Sequence, residues 1–270
     1  MRNLVVVSAL GLFVSAASAN AADLARRPVA PAPAPLPPAY SWTGFYLGGH
    51  AGAGWGNHDG SAVAITGTGT TAASGVVGSE SNVGFIGGAQ GGFNYALTPN
   101  WMLGVEGDFT WTDISTSQSA GLLTAGGVAV PGSVAFTRDL NWLASVRGRL
   151  GYTWDRFMVY GTGGAAWADY DGTAFATLAT GAVAGGSVSD KTRSGWVAGG
   201  GVEWAIPSFW FAGDWTARVE YLHYDFSSDS PSAVFVPGPG TATFSFGDPT
   251  VDVVRAGLSY KFGSVPGRGW

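Results

Sequence analysis

The stretch WMLGVEGDFTWTD, residues 101–113, decides the fold class of this chain. Its odd-numbered positions carry large apolar side chains such as Trp101 and Val105, whereas Glu106 and Asp108 stand at even-numbered positions. Only a period of two residues separates these two sets, so the stretch predicts a β-strand and excludes a helix. A strand with one apolar face and one charged face is typical of a transmembrane β-barrel, whose outside meets lipid and whose interior is polar.

The same alternation recurs along the chain and predicts eight strands. They fall at about residues 42–56, 82–97, 101–113, 137–154, 157–169, 194–205, 214–226 and 250–262. The connections are short at 98–100, 155–156 and 206–213, and long at 57–81, 114–136, 170–193 and 227–249. Short periplasmic turns and long external loops alternate in outer-membrane barrels. We therefore expect an all-β fold: an eight-stranded antiparallel transmembrane β-barrel of the outer-membrane type.

Aromatic residues agree with this orientation, because they collect at both ends of the predicted strands. The periplasmic set is Tyr95, Trp101, Tyr152, Trp154, Trp204, Trp215, Tyr260 and Phe262, and the external set is Trp55, Trp111, Trp142, Trp167, Trp196 and Tyr221. Aromatic side chains prefer the two lipid–water interfaces. The alternative is a soluble β-sandwich, which would have to hide these side chains.

Composition excludes several other classes of protein. With 44 Gly, 12 Trp and only 11% charged residues among 270, the chain is unlike a disordered protein. No segment after the N-terminal region offers the roughly 18 consecutive apolar residues of a transmembrane helix. A formal net charge of −5 argues against nucleic-acid binding. The absence of cysteine excludes a disulfide scaffold and thiolate metal sites.

The N-terminal region predicts secretion and completes the domain organisation. Arg2, the apolar run at 4–14 and a small-residue cleavage site at 19–21 indicate a signal peptide over residues 1–21. A membrane anchor is the alternative, and the run is too short for one. Residues 22–41 are rich in Pro and Ala and predict a periplasmic linker. The barrel then occupies 42–262, and 263–270 form a C-terminal tail.

Most charged side chains of the predicted strands share one face, which is the inward one. By parity, eight of them line the lumen: Glu106, Asp108, Arg147, Arg149, Glu203, Arg218, Glu220 and Arg255. Four acids and four arginines balance, so we expect a buried structural network of ion pairs, with a substrate site as the alternative. Eight strands enclose a lumen that side chains just fill, so an open porin channel is not expected. Inward glycines such as Gly48, Gly52, Gly199 and Gly201 leave small water pockets open.

Several segments resemble a known family. They are SWTGFYLGGHAGAGWG at 41–56, GVEGDF at 104–109, WLASVRGRLGY at 142–152, YGTGGAAW at 160–167, ARVEYLHYDF at 217–226 and VRAGLSYKF at 254–262. Together they resemble the small outer-membrane β-barrel surface antigens of alphaproteobacteria, often labelled porin family and similar to the OmpA-type membrane domain. The resemblance implies an abundant structural surface protein of the cell envelope. Some members have been linked to haem binding or solute passage. Such barrels usually end on an aromatic residue, whereas here Phe262 is followed by the tail.

No catalytic, metal-binding or cofactor-binding residues are expected. His50 faces the lumen by parity, His58 falls in the first external loop, and His223 faces outward near the external rim. A nucleophile, a base and an orienting acid must lie within hydrogen-bond reach, and the spacing brings no such set together. Each histidine is interpreted as an ordinary polar residue, with haem-iron ligation by His58 or His223 as the alternative.

The function expected from the sequence is a non-enzymatic, structural outer-membrane surface protein that maintains envelope integrity. A small-solute porin or a surface receptor, for example for haem, is the alternative. Outer-membrane lipid, lipopolysaccharide and the outer-membrane assembly machinery are the expected partners, and nucleic acid is not. The sequence leaves the oligomeric state undecided.

Overall fold

The structure is a computed structural model that describes residues 40–58, 61–66, 74–77, 83–123, 129–177, 183–210, 212–227, 232–236, 240–245 and 249–262. The predicted signal peptide, nearly all of the predicted linker and the C-terminal tail lie outside these residues. Within the described residues, no helix is long and apolar enough to cross a membrane.

Eight strands close into one antiparallel barrel. They are β1 (Gly44–His58), β4 (Val83–Ala96), β5 (Trp101–Leu123), β6 (Ala129–Trp154), β7 (Phe157–Thr177), β8 (Val183–Ala205), β9 (Trp215–Phe226) and β12 (Pro249–Phe262). The order around the barrel is β1-β12-β9-β8-β7-β6-β5-β4, and β4 pairs with β1 again. Phe45 lies opposite Phe262 and His58 opposite Pro249, so the first and last strands pair along their length. Closure leaves no strand edge facing lipid, where unpaired backbone groups are costly.

The predicted fold class and the number of barrel strands are confirmed. The first strand begins two residues later than predicted, at Gly44, whose φ of 146° suits glycine better than any other residue. The short connections lie where the sequence placed them, between β4 and β5, β6 and β7, and β8 and β9. Because outer-membrane barrels have short turns on the periplasmic side, the aromatic-rich strand ends next to these connections are the periplasmic ends.

The prediction of long loops at 114–136 and 170–193 was wrong. β5 and β6 contain 23 and 26 residues, and β7 and β8 contain 21 and 23. A barrel strand needs about 9–11 residues to cross a membrane, so these four strands continue well beyond it. Bulges at Trp111/Ile114, Leu140/Trp142 and Tyr170/Gly172 shift the register where the strands leave the aromatic girdle. A bulge interrupts the two-residue period, which explains why the sequence pattern faded there.

The other two predicted loops contain a second sheet. It has the order β10-β11-β2-β3 and is built from β2 (Ser61–Thr66), β3 (Ser74–Val77), β10 (Ser232–Val236) and β11 (Gly240–Ser245). β2 follows β1 and β11 precedes β12 along the chain, and β2 pairs with β11 just as β1 pairs with β12. β3 also lies beside β5, and β10 beside β8. The pairing of β2 with β11 therefore continues the pairing of β1 with β12 on the external side.

The outer surface of the barrel carries two aromatic girdles. At the periplasmic end Trp101 packs on Tyr152, and Trp215 on Tyr260, with ring centroids 5.4 and 5.2 Å apart. At the external end Trp111 and Trp196 are largely exposed on the outside of the wall. Large apolar side chains facing out along the whole wall require an apolar solvent, so lipid covers this surface and the soluble sandwich is excluded.

Several inward glycines lie where the backbone of a neighbouring strand occupies the space that a side chain would need. A Cβ on Gly48 would meet the backbone of β12, and one on Gly199 or Gly201 would meet the backbone of β9. The Tyr160 hydroxyl lies 2.8 Å from the Cβ position of Gly201. Strong curvature in a small barrel brings neighbouring backbones together on the concave side, so small inward residues are needed to close it.

Two glycines of β7 test this explanation. A Cβ on inward Gly164 would lie 2.7 Å from the Arg147 Cα, whereas one on outward Gly161 would meet nothing within 4 Å. We expect Gly164→Ala to lower the free energy of unfolding by about 1–3 kcal/mol through overpacking, and Gly161→Ala to have little effect. Urea titration in detergent, read by tryptophan fluorescence, measures both, and equal losses would contradict the explanation.

Candidate functional site: the charged lumen

All eight charged residues that the sequence assigned to the lumen lie there in the structure. Each has a relative exposure of 8% or less, and Arg147, Arg149 and Glu106 are at 1%. They come from five strands: β5 and β6 on one side of the barrel and β8, β9 and β12 on the other. Their side chains therefore meet across the lumen axis.

Glu106 is the centre of this network. Its carboxylate lies 2.5 Å from Arg147 Nη2, 3.3 Å from Arg149 Nη1 and 3.8 Å from Arg255 Nη2. It also accepts a hydrogen bond from Arg218 Nη1. The hydroxyl of Tyr46 donates to Glu106 Oε2 at 2.6 Å. One carboxylate thus faces four guanidinium groups from three other strands.

Two further carboxylates share these arginines. Glu220 lies 3.0 Å from Arg147 Nη1 and 2.7 Å from Arg255 Nη2. Asp108 lies 3.2 Å from Arg147 Nη2 and 2.9 Å from Arg255 Nη1, and it accepts a hydrogen bond from Ser145. Arg147 and Arg255 each bridge three acids. Charge-assisted hydrogen bonds of this kind are stronger than neutral ones, and they cross-link opposite walls.

The fourth acid, Glu203, extends the network toward the periplasm. It lies 2.8 Å from Arg149 Nη2. The Arg149 guanidinium also lies 3.9 Å from the centroid of the Tyr160 ring, a cation–π contact. Tyr160 in turn donates a hydrogen bond of 3.1 Å to Glu220. Tyr46 and Tyr160 thus add hydrogen bonds and ring contacts to the charges. The sequence analysis did not select them, and their inward parity was the available signal.

His50 belongs to the same network. Its Nδ1 lies 2.5 Å from Gln90 Oε1, and its Nε2 lies 2.9 Å from Thr110 Oγ1 and 3.4 Å from Arg255 Nη1. The Gln90 amide nitrogen donates to the Gly49 carbonyl at 3.2 Å, which directs its oxygen at the histidine. His50 is therefore a packed polar residue with both ring nitrogens engaged.

An apolar layer closes the lumen on each side of the charges. On the external side the layer consists of Ile86, Ile114, Leu140, Leu143, Ala166, Ala168, Tyr170, Val197, Leu222, Tyr224, Phe226, Val251 and Val253. On the periplasmic side it consists of Trp42, Met102, Met158, Tyr160 and Ala205. These side chains are buried, so the charge network lies between two apolar layers.

The segment before β1 covers the periplasmic mouth. Trp42 is buried there, and the Tyr40 ring packs edge-on against it at 5.0 Å. Lys261 Nζ donates to the Ser41 carbonyl and lies 4.4 Å from the Tyr40 ring centroid. Burial raises the pKa of the Tyr40 hydroxyl, and the nearby Asp214 carboxylate adds to the rise. The sequence predicted a strand from residue 42, whereas Trp42 seals the mouth.

A second polar cluster lies on the outside of the barrel near the external rim. Asp252 Oδ1 accepts hydrogen bonds from Tyr221 at 2.6 Å and from His223 Nδ1 at 2.8 Å. His223 and Asp252 are directly opposite each other on β9 and β12. The sequence placed His223 facing outward but did not pair it with an acid, because strand register was not readable. No group of three or more metal-ligating side chains occurs in the described part of the chain.

Comparison with known proteins identifies the class. The family model for the outer membrane protein beta-barrel domain matches residues 8–262. The chain therefore belongs to this family and is an outer-membrane β-barrel protein. It is 35% identical over 264 residues to the 31 kDa outer-membrane immunogenic proteins of Brucella melitensis biotype 1 and Brucella suis biovar 1. The match covers 97% of this chain and 100% of each relative.

Solved outer-membrane proteins are also similar. OprG from Pseudomonas aeruginosa has a TM-score of 0.45 and 13% identity, over 82% of this chain and 97% of that one. The outer membrane protease OmpT from Escherichia coli has a TM-score of 0.45 and 10% identity, over 81% of this chain and 97% of that one.

Two acids of β5 provide a matched test of the network. Glu106→Gln keeps the side-chain shape but leaves four buried arginines short of a charge, whereas Asp113→Asn changes an exposed residue. We expect Glu106→Gln to lower the free energy of unfolding by about 3–5 kcal/mol and Asp113→Asn to change it by about 0–1 kcal/mol. Urea titration of protein folded in vesicles measures both. Equal effects would contradict the network's role in stability.

A double-mutant cycle isolates the pair of Glu106 and Arg218. Because these residues contact each other, Glu106→Gln combined with Arg218→Met should cost about 1–3 kcal/mol less than the sum of the two single changes. Arg218→Met combined with Asp113→Asn is the control and should be additive within about 0.5 kcal/mol. Additivity in both combinations would show that the contact carries no coupling energy.

Proposed function

We propose that this protein is a structural, non-enzymatic component of the outer membrane that maintains envelope integrity as a closed barrel. The observation that carries the proposal is the lumen, in which eight paired charges lie between two apolar layers. Buried ion pairs of this density cross-link the barrel walls rather than leaving a site or a water-filled path. A filled eight-stranded barrel can stabilise the envelope as a rigid element embedded in the membrane.

The non-enzymatic part of the proposal is supported by the surroundings of the polar side chains. His50 is held between Gln90, Thr110 and Arg255 inside the sealed lumen. His223 and Asp252 form a pair on the outer wall, where Tyr221 is the third member. The three hydrogen-bonded members of this cluster do not include a serine, threonine or cysteine, which triad chemistry requires as its nucleophile.

Lipopolysaccharide and the outer-membrane assembly machinery are the partners that we propose. Acids stand on the outside of the barrel at or just above the external girdle, among them Asp113, Asp225 and Asp252. Divalent cations could bridge such carboxylates to the phosphates of lipopolysaccharide. The aromatic residue Phe262 ends the last strand and is exposed on the lipid side, where it is available to the machinery during insertion.

A surface receptor is the second candidate function, and the external structure favours it. Four barrel strands continue past the membrane, and a second sheet extends beyond the other four. Exposed structure on a rigid scaffold is where recognition usually occurs. Haem is the ligand to try first, because His223 lies beside Trp196, with ring centroids 5.7 Å apart. A haem titration that gives the same absorbance change with His223→Ala would remove this candidate site.

Conductance separates the structural function from the porin alternative. We expect the intact protein to give no stable current steps in planar bilayers, because charges and apolar layers fill the lumen. Replacing Glu106 and Arg147 by alanine should leave it closed, since both apolar layers remain. Adding Leu143→Ala and Met158→Ala thins both layers and should produce currents.

The conductance comparison includes only variants that show the heat-dependent electrophoretic mobility of a folded barrel. Large, stable currents from the unmodified protein would place the porin function ahead of the structural one.

A further inference from the structure

The periplasmic turn between β8 and β9 exposes aromatic side chains to an unusual degree. Phe209 is 81% exposed and Trp210 is 61% exposed, the former being the highest value among the large apolar residues of the described chain. The turn from Ile206 to Gly213 contains no charged residue. Two large apolar side chains at the tip of an uncharged turn would be unfavourable in water.

Hydrogen bonds hold the described parts of this turn, 206–210 and 212–213, in a defined shape. Trp210 N donates to the Pro207 carbonyl at 3.0 Å, which closes a four-residue turn with Ser208 and Phe209 at its tip. At the other end Ile206 N donates to the Trp215 carbonyl at 2.8 Å, and the Trp215 indole donates to the Ala212 carbonyl at 3.2 Å. A turn fixed in this way presents Phe209 and Trp210 with little loss of conformational entropy on binding.

The aromatic rings continue the periplasmic girdle. Trp154 stacks on Phe157 with centroids 6.3 Å apart, and Phe157 stacks on Trp204 at 6.4 Å. Trp210 packs edge-on against Trp204 at 5.8 Å, and Phe209 packs against Trp210 at 6.1 Å. Trp204 lies on the lipid side of the wall, so the turn folds along the outside of the barrel and not beneath the lumen.

We propose that this turn is a membrane anchor, in which Phe209 and Trp210 insert into the headgroup region of the periplasmic leaflet. The phospholipid interface is the partner, because the turn is continuous with the girdle that already meets it and because aromatic rings favour that depth. The neighbouring turn at Asp155 and Arg156 is short and charged and suits water instead. The barrel therefore has an additional contact with the periplasmic leaflet on the β8–β9 side.

The chain contains no cysteine, so single labels can be placed at will. Ser208→Cys puts a fluorophore at the tip of the turn and keeps both aromatic residues, and Pro99→Cys puts the same label on the β4–β5 turn as a matched control. The full chain is folded into vesicles of phosphatidylethanolamine and phosphatidylglycerol, part of the lipid being brominated. Heat-dependent mobility on electrophoresis verifies that each variant is folded.

The label at residue 208 should be quenched by brominated lipid at least about twofold more than the label at 99, and it should be less accessible to aqueous iodide. Adding Phe209→Ser and Trp210→Ser to Ser208→Cys should return its quenching to the level of the control. Equal quenching at 208 and 99, or lipid contact that survives loss of both aromatics, would overturn the anchor. Shielding at 208 that develops only with a periplasmic extract would assign the turn to a protein partner and also overturn it.

Discussion

Polar groups removed from water need hydrogen-bonding or ionic partners, and this requirement shapes both the barrel wall and the lumen. On the backbone it is met by closure, since β1 pairs with β12 as well as with β4 and no strand is left unpaired toward lipid. Inside, Glu106 is the central partner, because its carboxylate faces four arginines. A single unpaired guanidinium in such an interior would cost several kcal/mol, so the acids and arginines are effective only as a set.

Small size makes these two requirements depend on each other. Eight strands curve so strongly that inward Gly164 and Gly199 have neighbouring backbone where a side chain would stand. The remaining volume is narrow enough for long side chains from opposite walls to meet, as Arg147 of β6 and Glu220 of β9 do at 3.0 Å. A wider barrel would separate these groups and admit water between them. The glycines therefore bring the walls close enough for the charges to pair.

Much of this arrangement was predictable from the sequence, because a two-residue period fixes which side of the wall a residue occupies. Parity alone placed Glu106 and Arg255 in the lumen. It could not show that they meet, since contacts across the axis depend on barrel diameter and on the stagger between strands. Parity also fails at bulges, so the continuation of β5 past Ile114 was missed. Trp42 was misplaced because an aromatic residue next to a strand looks the same in sequence whether it lies in the girdle or plugs the mouth.

The molecule has a membrane part and an external part, and different physical constraints act on the two. The network, the inward glycines and the girdles all lie within the membrane part, where a single unmatched charge or a misplaced Cβ is costly. Beyond the bulges at Trp111/Ile114 and Leu140/Trp142, water can satisfy any polar group that the strands leave open. Substitutions there need only preserve strand pairing. Because the interactions that stabilise this barrel lie in its lumen, substitutions in the external part can change the exposed surface without loss of the fold. Such an arrangement suits a protein of the cell surface.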